Sequence, residues 1–228
     1  MINTKLIDGI ELLIPDNVFD ISGCWTKNKV VWDKDLVLFV SNLLKNGDVF
    51  FDVGTNTGSF SFLNKNKNFN IHCFEPNTIV FNLLKETIEI NMFNGKHTLN
   101  NIALSNTQGT TELKIPLDGT GGSTISDQPL RFRDYTVETI NTITLDEYFK
   151  NMKLNQIDVI KIDTEGHELF VLEGGFEVLK KYKPSIIMEH HPINMRQTNT
   201  NREEIFKLIN DIGYSNIKQL TVEDLYVT

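Results

Sequence analysis

The sequence predicts an α/β domain built on a mainly parallel sheet. Two observations carry this. Short apolar runs alternate with helical patterns in the order β, α, β, α, β over residues 49–104, the arithmetic of a doubly wound sheet. The first run, Val49-Phe50-Phe51-Asp52-Val53, ends in the turn Gly54-Thr55-Asn56-Thr57-Gly58 and resumes as a helical pattern at Ser59-Phe60. A strand, a glycine turn and a helix in that order make the small-molecule site of such sheets at the carboxyl edge of the strand.

The elements follow in order. Residues 1–44 read as an N-terminal extension packed on the core, with a strand at Glu11–Ile14, two tryptophans, Trp25 and Trp32, and a helix over 36–44. That helix has Leu36, Phe39, Val40 and Leu43 on one face and Asp35 as its cap. Residues 45–228 form the ligand-binding domain. Asn46-Gly47 ends the first helix and strand Val49–Val53 follows, then a helix over 57–64, a strand over 71–74 and a strong helix over 78–91. A third strand, 97–104, ends in Ser105-Asn106.

The rhythm then breaks. Strands over 110–115 and 137–143 flank a Gly/Ser/Thr-rich loop, 118–127, whose glycines suit a segment that closes over a ligand. This is a β excursion within the domain. Thr144 or Asp146 caps a short helix to Met152, and a strand ending Ile160-Lys161-Ile162 runs into the charged turn Asp163-Thr164-Glu165-Gly166-His167-Glu168. A helix over 168–181, a strand at Ser185–Glu189, a polar loop after His190-His191-Pro192, a helix over 202–211 and strands over 216–220 and 225–227 complete the chain.

Bulk properties narrow the function. A chain of 228 residues suits one well-packed domain. Its formal charge of −8, with no basic stripe, argues against a nucleic-acid surface. Cys24 and Cys73 are too few for a disulfide framework or a cysteine-rich metal site, and Cys73 sits in an apolar run as a buried thiol. The amino terminus lacks a basic segment followed by an apolar one, and no run reaches membrane-span length. The expectation is a cytoplasmic protein with no integral membrane segment and no nucleic-acid partner.

Four polar clusters fall at strand ends: Asp52 with Gly54, Thr55, Asn56 and Gly58; Glu75-Pro76; Asn101 to Ser105, including Ala103; and Asp163 with Glu165. The glycine spacing is Gly-x-x-x-Gly rather than the G-x-G-x-x-G of dinucleotide sites. An acid beside such a loop repels a diphosphate and suits an ammonium or sulfonium, which favours S-adenosylmethionine over a nicotinamide dinucleotide. Glu75 is placed to accept both ribose hydroxyls, and Asn101 and Ala103 to face the adenine edge. A bare turn would also explain Glu75-Pro76 and Asn101. Asp163 is the candidate for the reacting end, and Glu165, His167 or His190 for a base. His191 belongs to the same set, while His72 and His97, at strand starts, read as structural. Asp163, Glu189 and a histidine could alternatively bind a divalent metal, but no spacing here is diagnostic and none is assigned.

With these residues in view, the chain resembles the FkbM family of S-adenosylmethionine-dependent methyltransferases. The resemblance runs in order from Gly47-Asp48 through Asp52-Val53-Gly54-Thr55-Asn56-Thr57-Gly58, Phe74-Glu75-Pro76-Asn77, Asn101-Ile102-Ala103-Leu104-Ser105, Gly121-Gly122-Ser123, Thr144-Leu145-Asp146 and Ile160-Lys161-Ile162-Asp163-Thr164-Glu165-Gly166 to Pro184 and Met188-Glu189. It implies a single Rossmann-like class I methyltransferase domain and O-methylation, often of a sugar or natural-product hydroxyl. It places the cofactor role on Asp52, Gly54, Asn56, Gly58, Glu75 and 101–103. Thr55 and His167 depart from the family's usual small residues. The alternatives are a non-carbohydrate acceptor, a nicotinamide-dependent enzyme, or a non-catalytic ligand-binding module.

Overall fold

The computed structural model describes residues 2–5, 11–14, 34–62, 66–117, 119, 121–128 and 134–228. The expectations for Cys24, Trp25, Trp32 and the ends of the 57–64 helix and the 118–127 loop touch residues outside this set.

Strands β1 (Ile2–Lys5) and β2 (Glu11–Ile14) form an antiparallel pair. The central sheet has seven strands: β3 (Val49–Val53), β4 (Asn70–Phe74), β5 (Lys96–Asn100), β9 (Val159–Ile162), β10 (Ser185–Glu189), β11 (Ile217–Gln219) and β12 (Asp224–Val227). Their spatial order is β11-β12-β10-β9-β3-β4-β5. β3, β4, β5, β9 and β10 are parallel, and β12 runs antiparallel to both its neighbours. The connection from β3 moves outward through β4 to β5, whereas β9 leads the other way to β10. The switch point of the sheet therefore lies between β3 and β9, and sheets of this kind bind ligands beyond the strands' carboxyl ends at that point.

Helices cover both faces. On one side α1 (Lys34–Leu43) buries Leu36, Val37 and Val40 in a cluster with Leu12, Phe50, Ile71 and Leu84. The described part of the N-terminal segment packs on the core through these residues. On the other, α5 (Glu168–Gly174), α6 (Phe176–Tyr182) and α8 (Arg202–Ile212) pack Leu169, Leu172, Leu179, Ile205 and Ile209 on β9, β10 and β12. α2 (Ser59–Phe62) and α3 (Thr78–Ile90) add Phe60, Phe62 and Leu84 to the first cluster, and α4 (Leu145–Asn151), capped by Thr144 as expected, adds Leu145, Tyr148 and Phe149 to the second.

Four elements differ from expectation. The third strand is two: β5 stops at Asn100, and β6 (Ala103–Leu104) leaves the main sheet to pair with β8 (Tyr135–Ile143). Together with β7 (Gly109–Pro116) they form a separate three-stranded sheet. The helix after β9 breaks into α5 and α6 at Gly175, where a Cβ would press on Leu145. The first-loop helix begins at Ser59, two residues later than the 57–64 reading. The polar loop after β10 contains a helix, α7 (Pro192–Gln197), whose signal was Pro192 at the first helical position with His191 accepting from Ile193 N–H as its cap.

Candidate active site

Parallel register sets the site. Val53, Phe74, Asn100, Ile162 and Met188 are mutual Cα partners across five strands. The next residues along the chain are Gly54, Glu75, Asn101, Asp163 and Glu189. Every strand-end cluster read from the sequence therefore meets in one row above the switch point.

The glycine turn is fixed by backbone hydrogen bonds. Gly54 and Thr55 N–H both donate to the Phe74 carbonyl (3.1 Å each), and Gly58 N–H donates to the Thr55 carbonyl. The Thr55 hydroxyl donates to the Asp52 carbonyl (2.7 Å) and accepts from Phe74 N–H. Gly54 has φ +76°, and a Cβ there would collide with the Asp163 carbonyl oxygen. The turn and the Asp163 strand end touch only because residue 54 lacks a side chain.

Glu75 braces the turn. Its Oε2 accepts from Asn56 N–H and its Oε1 from Asn77 N–H, both at 2.8 Å. A carboxylate has about four acceptor sites, so two remain for hydroxyl donors such as a ribose diol. Burial pushes the Glu75 carboxyl up to about 7, against the pull of those N–H groups and Lys161.

One register row further in, Asp52 and Lys161 are direct partners on adjacent strands. Here an expectation is corrected. Asp52 is fully buried and presents no carboxylate to a ligand. Its Oδ2 accepts from Ser61 Oγ (2.6 Å) and its Oδ1 lies 3.8 Å from Lys161 Nζ. Burial raises its proton affinity over the opposing effect of Lys161. Lys161 Nζ donates to the Gly54 carbonyl (3.1 Å), pairs with Asp163 Oδ2 (3.2 Å) and sits over the Phe60 ring. Burial alone would lower its proton affinity, but Asp163 and Asp52 outweigh it and hold the ammonium charged. The structure makes Lys161, at the end of β9, the pin joining turn, strand and Asp163.

The other candidates sort by position. Asp163 is partly open, its side chain 39% exposed. The Asn101 amide is occupied, donating to the Glu75 (3.0 Å) and Pro76 (2.9 Å) carbonyls, which ties β4's end to β5's. Ala103 is turned into the small hairpin core with Leu113 and Ile140. His167 is buried with its Nε2 2.9 Å from Ser105 Oγ, and burial pushes it down to about 4. His190 is buried against the β11–β12 hairpin, its Nε2 2.8 Å from Gln219 Nε2. His191 lies 2.9 Å from Glu223. His72 is buried on Tyr148, and His97 lies on Ser61, away from this row. No group of three or more His, Cys, Asp or Glu suited to a metal ion occurs among the described residues.

The row's outer flank is a turn gripped by α7. Glu165 has φ +54° and Gly166 φ +104°, and a Cβ on Gly166 would strike the Asn194 carbonyl. Glu168 Oε1 accepts from Thr164 N–H, Thr164 Oγ1 and Gly166 N–H. Gln197 Nε2 (2.7 Å) and Thr124 Oγ1 (3.0 Å) donate to the Glu165 carbonyl, and Thr198 Oγ1 donates to the Gly166 carbonyl. Thr124 and Ser126 are buried, with the Ser126 hydroxyl on the Gln197 carbonyl. This part of the glycine-rich loop is a fixed wall, not a free flap.

The architecture agrees with solved methyltransferases. An FkbM methyltransferase from Methylobacillus flagellatus superposes with a TM-score of 0.54 at 17% identity, over 88% of this chain and 49% of that one. This chain thus spans about half of that protein's length. An S-adenosylmethionine-dependent O-methyltransferase from Thermotoga maritima superposes at 0.51 with 11% identity, over 96% of this chain and 72% of that one. The fold is that of the class I methyltransferases. Residues 52–215 match the methyltransferase FkbM domain, and the chain belongs to that family of S-adenosylmethionine-dependent methyltransferases. The hexuronic acid methyltransferase AglP of Haloferax volcanii is 27% identical over 175 residues, 76% of this chain and 69% of AglP.

Proposed function

We propose that this chain is an O-methyltransferase that transfers the methyl group of S-adenosylmethionine to a hydroxyl of a sugar or glycan. The row Gly54, Glu75, Asn101, Asp163, Glu189 carries the reading. It pairs a glycine-hinged turn, packed directly on the Asp163 strand end, with an acid whose remaining acceptor sites suit a ribose diol. Carboxylates beyond it favour positive charge. The AglP likeness supports a sugar as acceptor.

In this reading Gly54, Thr55, Asn56 and Gly58 form the cradle through their backbone, Glu75 accepts the ribose hydroxyls, and Asp163 accepts from the cofactor's ammonium. The strand end at Pro76 and Asn101 supports the adenine edge through backbone, because the Asn101 amide is spent internally. When bound, the cofactor supplies an activated methyl group on a positively charged sulfur. The protein's share is alignment, exclusion of water and acceptance of a proton. The partly open carboxylates, Asp163 and Glu165, suit that last role; His167 and His190 are sealed in hydrogen bonds.

Methyl-label transfer from S-adenosylmethionine to nucleotide sugars and glycans tests this. A base-stable label on a carbohydrate, lost in Asp163→Asn, is the expected result. Binding of the cofactor with transfer only to non-carbohydrate hydroxyls would overturn the acceptor assignment.

A further inference from the structure

The turn after β9 and the end of β10 bring acids together beside α7. The two strands are neighbours in the sheet, and Glu189 lies within electrostatic reach of Asp163, Glu165 and Glu168. Two of these acids are already engaged. Asp163 pairs with Lys161, and Glu168 Oε1 accepts from Thr164 N–H, Thr164 Oγ1 and Gly166 N–H. Glu165 and Glu189, both half-buried, instead share one amide. Asn194 on α7 is fully buried, and its Nδ2 donates to Glu165 Oε2 and to Glu189 Oε2, each at 2.8 Å. The other amide atom, Oδ1, is buried with no hydrogen-bond partner among the described residues, an arrangement that costs free energy.

An amide that holds two carboxylates by its nitrogen while its oxygen is unpaired is one half-turn from another arrangement. Rotation about the Cβ–Cγ bond exchanges Nδ2 and Oδ1 with little other movement. It sets three oxygens side by side from three elements: the β9 turn, β10 and α7. In an octahedron of oxygens about 2.0–2.1 Å from its centre, neighbours stand about 2.8–3.0 Å apart. The two 2.8 Å contacts already have the length of its edges. We propose that Glu165, Glu189 and Asn194 form a site for a hard divalent cation of the Mg²⁺ class, with Asn194 Oδ1 as the third ligand and water completing the shell. Two carboxylates and an amide carbonyl are the all-oxygen set that such ions take. The amide donates to both carboxyls alike, which favours in each the ionised form a cation needs. Burial and the carboxylates of Asp163, Glu165 and Glu168 push Glu189 up to about 10 against that pull. Negative charge is thus in excess, and the ion displaces a proton. Bound there, it ties three separate segments together and stabilises the fold by mass action. Asp163, paired with Lys161, is not a ligand and stays available to the transfer reaction.

The test reads binding directly, with neither cofactor nor acceptor present. Chelator-treated wild type is titrated with Mn²⁺ by electron paramagnetic resonance, with Mg²⁺ as competitor and thermal unfolding over the same series. The expected result is one Mn²⁺ per chain, displaced by Mg²⁺ and raising Tm with concentration. Glu189→Gln should weaken Mn²⁺ by about tenfold or more. Asn194→Asp separates a ligand from a mere hydrogen-bond donor. Without metal its third carboxylate repels the other two and lowers Tm. With Mn²⁺ it should bind at least as tightly as wild type and regain the lost Tm. No saturable binding to wild type at millimolar Mn²⁺, or equal affinity in wild type and Glu189→Gln, overturns the proposal. So does a folded Asn194→Asp that binds no Mn²⁺; if that variant does not fold, the other two proteins decide. Failure of methyl transfer leaves this site standing, and failure of Mn²⁺ binding leaves the transferase reading standing.

Discussion

The two sides of the crevice are built differently. The side proposed for the cofactor is assembled at adjacent strand ends: Gly54 and Thr55 N–H meet the Phe74 carbonyl, and the Glu75 carboxylate accepts from Asn56 and Asn77 N–H. The acceptor side is assembled from side chains brought from distant segments. The Glu165 turn is held by Asn194 and Gln197 from α7, by Thr198 just after it and by Thr124 from the β7–β8 connection. Main-chain groups braced by Glu75 make the first side; side chains from distant segments make the second.

The sharpest way to break the comparison is at Lys161, which pins the Gly54 turn to β9 and Asp163. Lys161→Met leaves Asp52 buried without its cation, and loss of one partner of a buried pair costs about 3–5 kcal/mol. Denaturant unfolding should show that loss, and S-adenosylhomocysteine binding should disappear with it. Asp52→Asn in the same chain should recover part of the stability, since no uncompensated charge then remains.

Next is the pH dependence of the cofactor side. If ionised Glu75 accepts the ribose hydroxyls, affinity scales with its ionised fraction, and binding at pH 5.5 should be about thirtyfold weaker than at pH 8. The free protein should show the opposite trend. A carboxyl whose folded value is raised to about 7 from 4.5 contributes stability below pH 4.5 that is lost as pH rises through about 7. Calorimetric titration and thermal unfolding over the same pH series check both signs.

A smaller stability effect sharpens the acceptor side. Glu165 holds a left-handed backbone, which costs a non-glycine residue roughly 1 kcal/mol. Glu165→Gly should keep stability unchanged or raise it by up to about 1 kcal/mol, while methyl transfer collapses. A variant that loses both would make the turn structural only. The smallest effect belongs to His190, which is packed against Gln219. His190→Asn should leave methyl transfer within about twofold, against the hundredfold or more of a lost base.

The same division explains what the sequence made legible. Strand ends, the Gly54 turn and Glu75 are local patterns on a regular sheet, and parallel register alone brings them together. The Asp52–Lys161 pairing depends on which strand lies beside β3, and sequence order does not reveal that β9 does. Asn194 escaped because α7 is a single short helix after a proline, too brief for periodicity to mark. The histidines drew attention by their ordinary proton affinity near neutral pH. Burial removed that advantage, pushing His167 down to about 4, and no local pattern reports burial of one side chain. The break of β5 into β6 likewise follows from a second sheet whose partners lie about forty residues further along the chain.

The central claim is that the row beyond β3, β4 and β9 is the S-adenosylmethionine cradle with Glu75 as its ribose acid. Calorimetric titration of wild type and Glu75→Ala with S-adenosylhomocysteine, with NADH in parallel, tests it most directly. The account predicts saturable binding to wild type, affinity weaker by on the order of a hundredfold in Glu75→Ala for two lost charge-assisted hydrogen bonds, and no NADH binding. Equal affinity in the two proteins, or binding of NADH in place of S-adenosylhomocysteine, would contradict it.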